Sequence, residues 1–489
     1  MYLPLHIDRA AQTPLQDQIY TQLRQLITTS WLKADTRVIA TRFLAEQLGV
    51  SRTTILLAYE RLISEGYLET RPAVGTFVCS ALPDSLPGRQ GAVAAPLAEL
   101  PVVRQSDLHP PAAFPTPWEA RAAAAIDFTG DELDPALFPL TAWKRLTKAA
   151  LDSFPQSLVH NPPQAGIPQL RTAIADWLTM SRGLVVQPEQ VVVVSGRQQA
   201  YHIAARLFLR EGGRVVVEAP TEAAVVAAFS SLGANVTAVP ADGRGMDTAQ
   251  LPEGAAVLAH VTPSHQVGLG GTLPEERRLR LIDWARGAGA YIIEDDCDGD
   301  FRYSGVSPPP IMALDGYGLV IHIGTFSKSL GAGLRLGYMV LPPELCKPAI
   351  AAKALLDKGN PWLEQAVLAE FIAGGEFTRH LRRIRKVYME RRDCLIAILG
   401  QHFGAVELAG VNSGTRLTWL LPPGFPKAAE IRELALRQGV GLGCLEPGDG
   451  PGAFVDQALF FGYSQLGERR IREGINLLAK ALRQAQSAA

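Results

Sequence analysis

At 489 residues, 47% hydrophobic and 19% charged, the chain is too long for one ordinary core and too apolar for wholesale disorder, so two or three domains are expected. A net charge of −1 excludes a polycation, and the absence of eighteen consecutive apolar residues or a basic leader argues against a membrane span or signal peptide. Five cysteines (79, 297, 346, 394 and 444), odd in number and without a CxxC pair, point to a cytoplasmic location and away from disulfides or zinc.

Residues 15–29 place apolar side chains at 15, 19, 23, 26 and 27, a helical stripe. A short helix is predicted over 42–48, with Phe43, Leu44 and Leu48 on its apolar side and Gly49 as its stop. Ser51 then offers an N-cap for a helix with Ile55, Ala58, Tyr59, Leu62 and Ile63 on one face and Gly66 at its end. Two helices joined at Leu-Gly-Val-Ser form a helix-turn-helix, and the β-favouring pieces 67–69 and 76–78 suit a hairpin wing.

In such a unit, Ser51, Arg52, Thr53 and Thr54 at the second helix's N-terminus face the major groove, with Arg52 able to fork onto a guanine. Arg42 is positioned for the DNA backbone, and Gly75 at the wing tip permits close approach. Residues 1–80 hold eight Lys/Arg against seven Asp/Glu, a net +1, so any phosphate-binding charge must be local.

Residues 12–80, with RFLAEQLGVSRTTILLAYERLISEGYLETR followed by GTFV, resemble the GntR family of winged-helix regulators. The resemblance implies double-stranded DNA as partner and Arg42, Ser51, Arg52, Thr53, Thr54 and Gly75 as the contacts. Two stretches depart from the family, Val38-Ile39-Ala40-Thr41 before the first of these helices and Ala73-Val74-Gly75 in the wing.

Residues 81–125 are Pro/Ala-rich and weakly periodic, the pattern of a linker. Beyond them, 191–196, 214–218, 256–261, 290–295 and 320–326 are runs apolar on both sides, separated by helical stretches. This predicts a mainly parallel sheet covered by helices, an α/β domain over 126–489. The strand-like 416–421 and 458–464 belong to a smaller α+β subdomain.

The chemistry centres on GTFSKSLGAGLRLGY (324–338). Lys328 after a strand can form a Schiff base with an aldehyde cofactor, while Thr325, Ser327 and Arg335 can hold its phosphate. Gly196, Arg197 and Gln198 open a helix after a strand and can add backbone N–H donors. A carboxylate among Glu294, Asp295 and Asp296 can pair with a protonated ring nitrogen.

With SGRQQA, VTPSHQ, EDDCD and RLGY, residues 126–485 are similar to fold type I (class I) aminotransferases, and the whole chain resembles the MocR subfamily of GntR regulators. The resemblance implies pyridoxal 5′-phosphate on Lys328, Asp295 at the ring nitrogen, a head-to-tail homodimer, and an effector felt at the cofactor site. Departures fall inside that pocket: Glu222 replaces a stacking tyrosine, Cys297 a phenol, Gly268 a proline, and Phe460 an arginine that receives carboxylates. The expectation is a regulator without transaminase turnover, responding to an amine or amino-acid-like compound other than a standard α-amino acid. Two alternatives stay open: an active aminotransferase with a regulatory N-terminal domain, and a cofactor-free regulator with a rebuilt pocket.

Overall fold

The computed structural model describes residues 3–9, 11, 13–72, 74–83, 124–130, 132–445 and 456–488, so most of the expected linker lies outside the described residues. The chain divides into two compact units, Met1–His109 and Pro110–Ala489.

The first unit contains α1 (Leu15–Thr28), α2 (Thr41–Leu48), α3 (Arg52–Ser64) and the antiparallel strands β1 (Leu68–Arg71) and β2 (Gly75–Val78). Gly49 ends α2 in the left-handed region at φ 62°, and the Ser51 hydroxyl accepts from the Thr54 amide at 3.1 Å to open α3. Ile19, Leu23 and Ile27 of α1 share a buried core with Leu44, Ile55, Tyr59, Leu62 and Val78. Phe43 and Ile63 do not join it: they are 65% and 36% exposed. Each lies one residue, about 100° of helical turn, from a fully buried leucine, and the core covers only a narrow stripe of these short helices.

The second unit begins with β3 (Ile126–Asp127) and builds an eight-stranded sheet. Its strands are β4 (Val191–Val194), β5 (Arg214–Ala219), β6 (Asn235–Asp242), β7 (Gly245–Met246), β8 (Leu258–Val261), β9 (Tyr291–Asp295), β10 (Val320–Thr325) and β11 (Gly337–Val340). Their order is β4-β11-β10-β9-β8-β5-β6-β7. The core β10-β9-β8-β5-β6 is parallel, whereas β11 runs antiparallel to both β10 and β4.

Alternation along β4 shows why the run reads as apolar throughout. Val191 and Val193 pack into one core with Ile174 and Trp177, while Val192 and Val194 pack into another with Ile203 and Ala204.

A second sheet joins β12 (Glu407–Ala409), β13 (Arg416–Leu420), β15 (Gly443–Cys444) and β16 (Ala458–Gly462), with β14 (Val440–Gly441) pairing β3. Fold class is therefore as expected: a mainly parallel sheet with flanking helices and a small α+β subdomain. No helix among the described residues is long and apolar enough to cross a membrane.

Candidate functional site

Strands β5, β8, β9 and β10 run parallel, so their C-terminal ends and the loops that follow converge on one edge, the usual position of ligands in open α/β sheets. The three consecutive acids at the end of β9 separate there. Glu294 turns to one side, accepting from the amides of Ile311 and Met312 at 2.6 and 3.1 Å beside His322. Asp296 pairs with Arg182 at 2.7 Å. Asp295 turns instead toward Arg197 and Tyr201.

The Asp295 Oδ2 accepts from Arg197 Nη1 at 2.9 Å and from the Tyr201 hydroxyl, with His260 Nε2 at 3.8 Å. Its Oδ1 is buried and has no hydrogen-bond partner among the described residues. Burial pushes the Asp295 carboxyl up, but Arg197, His260 and Tyr201 outweigh burial and hold it below the usual carboxylate range. Arg197 also forks onto Glu222, with Nη2 at 3.1 Å from both carboxylate oxygens. Beneath this cluster, Glu218 bonds the Thr262 amide and hydroxyl, and burial raises its carboxyl to about 7.

Lys328 lies in the short helix Ser327–Leu330 directly after β10, and its Nζ donates to Asp298 Oδ2 at 2.7 Å. Both are buried, and both line a cleft with Glu222, His265, Val267, Gly268, Arg416 and Thr418. Cys297 is buried beside them, its Sγ donating to Asp298 at 3.5 Å, and burial pushes its thiol well up.

The Thr325 hydroxyl donates to that of Ser327 at 2.9 Å. Arg335, in the left-handed region at φ 51°, comes back against Gly196: a β-carbon at Gly196 would lie 3.4 Å from its guanidinium. Gly196 has φ 101° and is the N-cap of the helix Arg197–Phe208, so that helix's N-terminal end lies beside the Arg335 guanidinium, an arrangement that favours an anion. Gln198 is exposed, its amide donating to the Ala224 carbonyl at 3.4 Å.

Gly268 has φ 100°, which a proline cannot adopt, and a β-carbon there would lie 2.6 Å from Pro220 Cγ. The loop around Gly268 is therefore fitted to glycine and closed to proline. Gln266 donates to the Pro220 carbonyl at 2.6 Å, and Thr418 to the Gly268 carbonyl at 2.5 Å, tying it to β5 and β13.

In the first unit, Arg42, Ser51, Arg52 and Thr53 are exposed and Thr54 is half-buried. A β-carbon at Gly75, φ 137°, would lie 2.8 Å from Arg37 Nε, so the wing tip is fitted around glycine.

Two family models divide the chain in the same way. Residues 15–78 match the bacterial regulatory proteins of the gntR family, and residues 130–418 match aminotransferase class I and II. Over 98% of this chain and 95% of the other, it is 34% identical to the probable rhizopine catabolism regulatory protein MocR of Rhizobium meliloti. The chain belongs to the MocR-type regulators of the GntR family.

Another regulator of this type, the pyridoxine biosynthesis regulator PdxR of Corynebacterium glutamicum, is 29% identical over 96% of each chain. Among solved structures, the α-aminoadipate aminotransferase LysN of Thermus thermophilus, complexed with N-(5′-phosphopyridoxyl)-L-leucine, superposes with a TM-score of 0.68. It is 28% identical and covers 76% of this chain and 95% of its own.

For a MocR-type regulator, three sequence expectations thus meet at one strand edge: Lys328, Asp295 and the Gly196–Arg335 pair. Four neighbours were not singled out by sequence. Tyr201 and His260 sit in buried runs that read only as core, and Asp298 stood in the EDDCD motif without a role. Arg416 stood at the start of a recognised strand, where period-2 alternation alone would have set it on the same face as Thr418.

Proposed function

We propose that this MocR-type regulator holds pyridoxal 5′-phosphate on Lys328 and reads a small amine-bearing effector there, without turning it over. The observation that carries the reading is the buried, unpartnered Oδ1 of Asp295, on the same strand edge as the buried Lys328. An acceptor oxygen held ionised and buried calls for a hydrogen-bond donor, and a ring N–H would supply one. The helix N-terminus at Gly196 beside Arg335, with the Thr325 and Ser327 hydroxyls, supports phosphate binding. The phosphopyridoxyl adduct seen in LysN and the name of PdxR support a ligand of this kind.

When bound, the cofactor supplies a carbonyl that captures amines and a ring that can withdraw electrons. Lys328 offers the amine that would tether it, and Asp298 holds that nitrogen in place. Arg197 argues against turnover: its guanidinium already takes Asp295 Oδ2, so the carboxylate would offer a ring N–H its Oδ1 with part of its charge already offset, a weaker support for an electron sink than an unpaired carboxylate.

In the same proposal, double-stranded DNA meets Arg42, Ser51, Arg52, Thr53, Thr54 and Gly75, and the protein works in the cytoplasm. The exposed apolar side chains Leu140, Leu151, Phe154, Leu158 and Val159, close in sequence, support a homodimer through that segment. A cofactor-free regulator is the second reading, favoured by Glu222, which grips Arg197 where the family stacks an aromatic ring.

The test is an absorption spectrum of the pure protein with added pyridoxal phosphate, alongside Lys328→Ala. A visible band in the wild type that is lost in the variant is expected. No band in either removes the cofactor and leaves the second reading.

A further inference from the structure

The cations of the first unit fall into two sets. Arg61 pairs with Asp17 and Glu65 at 3.1 and 3.0 Å, and Arg71 pairs with Asp35 and Glu69. Arg9 donates to the Gly49 carbonyl at 2.7 Å, and Arg24 to the Tyr67 hydroxyl at 2.9 Å. Lys33, Arg37, Arg42 and Arg52 have neither an ion pair nor a hydrogen bond from the side chain among the described residues. Arg42 and Arg52 lie at the starts of α2 and α3, whereas Arg37 lies outside both helices.

Arg37 alone of these four is built into the wing. The Asp35 amide donates to the Val78 carbonyl at 3.0 Å and the Val38 amide to the Thr76 carbonyl at 2.9 Å, so residues 35–38 lie along β2. Arg37 stands opposite Phe77 in that antiparallel pairing. Val38 is buried and Arg37 is exposed, as alternation requires. The guanidinium crosses Gly75 at the wing tip: a β-carbon there would be 2.8 Å from Nε and 3.4 Å from Cζ. Glycine therefore seats the guanidinium as well as turning the chain.

The acids placed to hold this arginine go elsewhere. Asp35 lies two residues before it, and Glu69 stands across Phe77 on β1, yet both are drawn to Arg71.

We infer that Arg37 is a further DNA contact, a phosphate anchor at the wing that sets affinity rather than sequence choice. An exposed guanidinium on a backbone fixed in a sheet, with its fork free among the described residues, matches a phosphate oxygen pair. Such contacts fix position and add affinity without reading bases. The inference rests on the DNA-binding reading of the winged helix above and on nothing in the cofactor site.

The experiment is a salt titration of binding by the full chain to two duplexes, one selected from a random pool and one of scrambled sequence. Arg37→Gln should weaken binding to both by the same factor. It should also flatten the plot of log affinity against log salt by about 0.9 for each copy of the chain bound. The wild type's advantage then grows about eightfold per copy for each tenfold dilution of salt. Arg37→Lys keeps the charge and should keep the wild-type slope, and all three proteins should melt at the same temperature. An unchanged slope in Arg37→Gln, or a loss confined to the selected duplex, overturns the inference. Arg52→Ala is measured beside them. If it alone weakens binding, only the anchor at Arg37 fails; if neither variant does, the placement of DNA on the winged helix fails too.

Discussion

Arg197 and Asp295 are 98 residues apart in sequence and 2.9 Å apart in the fold, a part-buried ion pair at the centre of the candidate site. Arg197 opens a helix, Asp295 ends a strand, and the pair decides the charge that any ring nitrogen would meet.

Removing the cation leaves a buried carboxylate with only Tyr201 and His260 beside it. Arg197→Ala should therefore destabilise the aminotransferase-like unit by about 3 kcal/mol. Asp295→Asn combined with Arg197→Ala should cost less than the sum of the two single changes, because the double variant leaves no buried charge at this position. Additive losses in melting experiments would show that the two residues are not coupled.

At the DNA-binding end, stability and recognition should part. Ser51→Ala loses the cap to the Thr54 amide and should lower the stability of the first unit by about 1 kcal/mol. Arg52→Ala removes an exposed side chain and should leave the melting temperature unchanged. Its affinity for a duplex selected from a random pool should nonetheless fall by about 1–3 kcal/mol. Equal binding by both proteins would remove Arg52 from the interface.

Glu218 gives the second unit a pH dependence of definite sign. Its carboxyl is raised from 4.5 to about 7 in the folded state, so the native protein holds the proton more tightly than the unfolded chain. The stability it contributes is fully present below pH 4.5 and is lost as pH rises through about 7, at up to about 1.4 kcal/mol per pH unit. Glu218→Gln, which keeps an acceptor for Thr262, should flatten that slope in melting curves from pH 5 to 7.5. An unchanged slope assigns the proton elsewhere.

Gly324 is a packing test. A β-carbon there would lie 2.1 Å from the Tyr338 ring, so Gly324→Ala should cost about 1–3 kcal/mol and weaken retention of any ligand on Lys328. Gly333 has no atom within 4 Å of its own would-be β-carbon, and Gly333→Ala should be silent. Equal behaviour of the two variants in melting and loading assays would refute the packing argument.

Much of this was legible from sequence, for reasons that specific residues make plain. The runs at 191–194, 258–261 and 291–295 announce themselves because a strand covered on both faces must be apolar at every position. Strand direction leaves no such trace, so antiparallel β11 was invisible although its Arg-Leu-Gly-Tyr neighbourhood was recognised. The alternating Asn235–Asp242, interrupted by Pro240, lacks the continuous apolar signal and was missed. Within the site, Lys328 and Asp295 follow from local motifs, whereas Arg197 was read as a backbone donor. Its side-chain partners come from two other strands' ends, which no local spacing encodes. Phe43 and Ile63 mark the opposite limit, where correct spacing still overstates the width of a buried stripe.

The reversal of β11 has a mechanical meaning. Because β10 and β11 form an antiparallel pair, with Thr325 opposite Gly337, the chain leaves the sheet and returns within one short excursion that carries both Lys328 and Arg335. The residue proposed to tether the cofactor and the one proposed to hold its phosphate are thus mounted on a single excursion between two neighbouring strands. On that proposal, a shift of the excursion would move both grips on a ligand together, so tension applied at the amine end would be felt at the phosphate end without crossing the ligand itself.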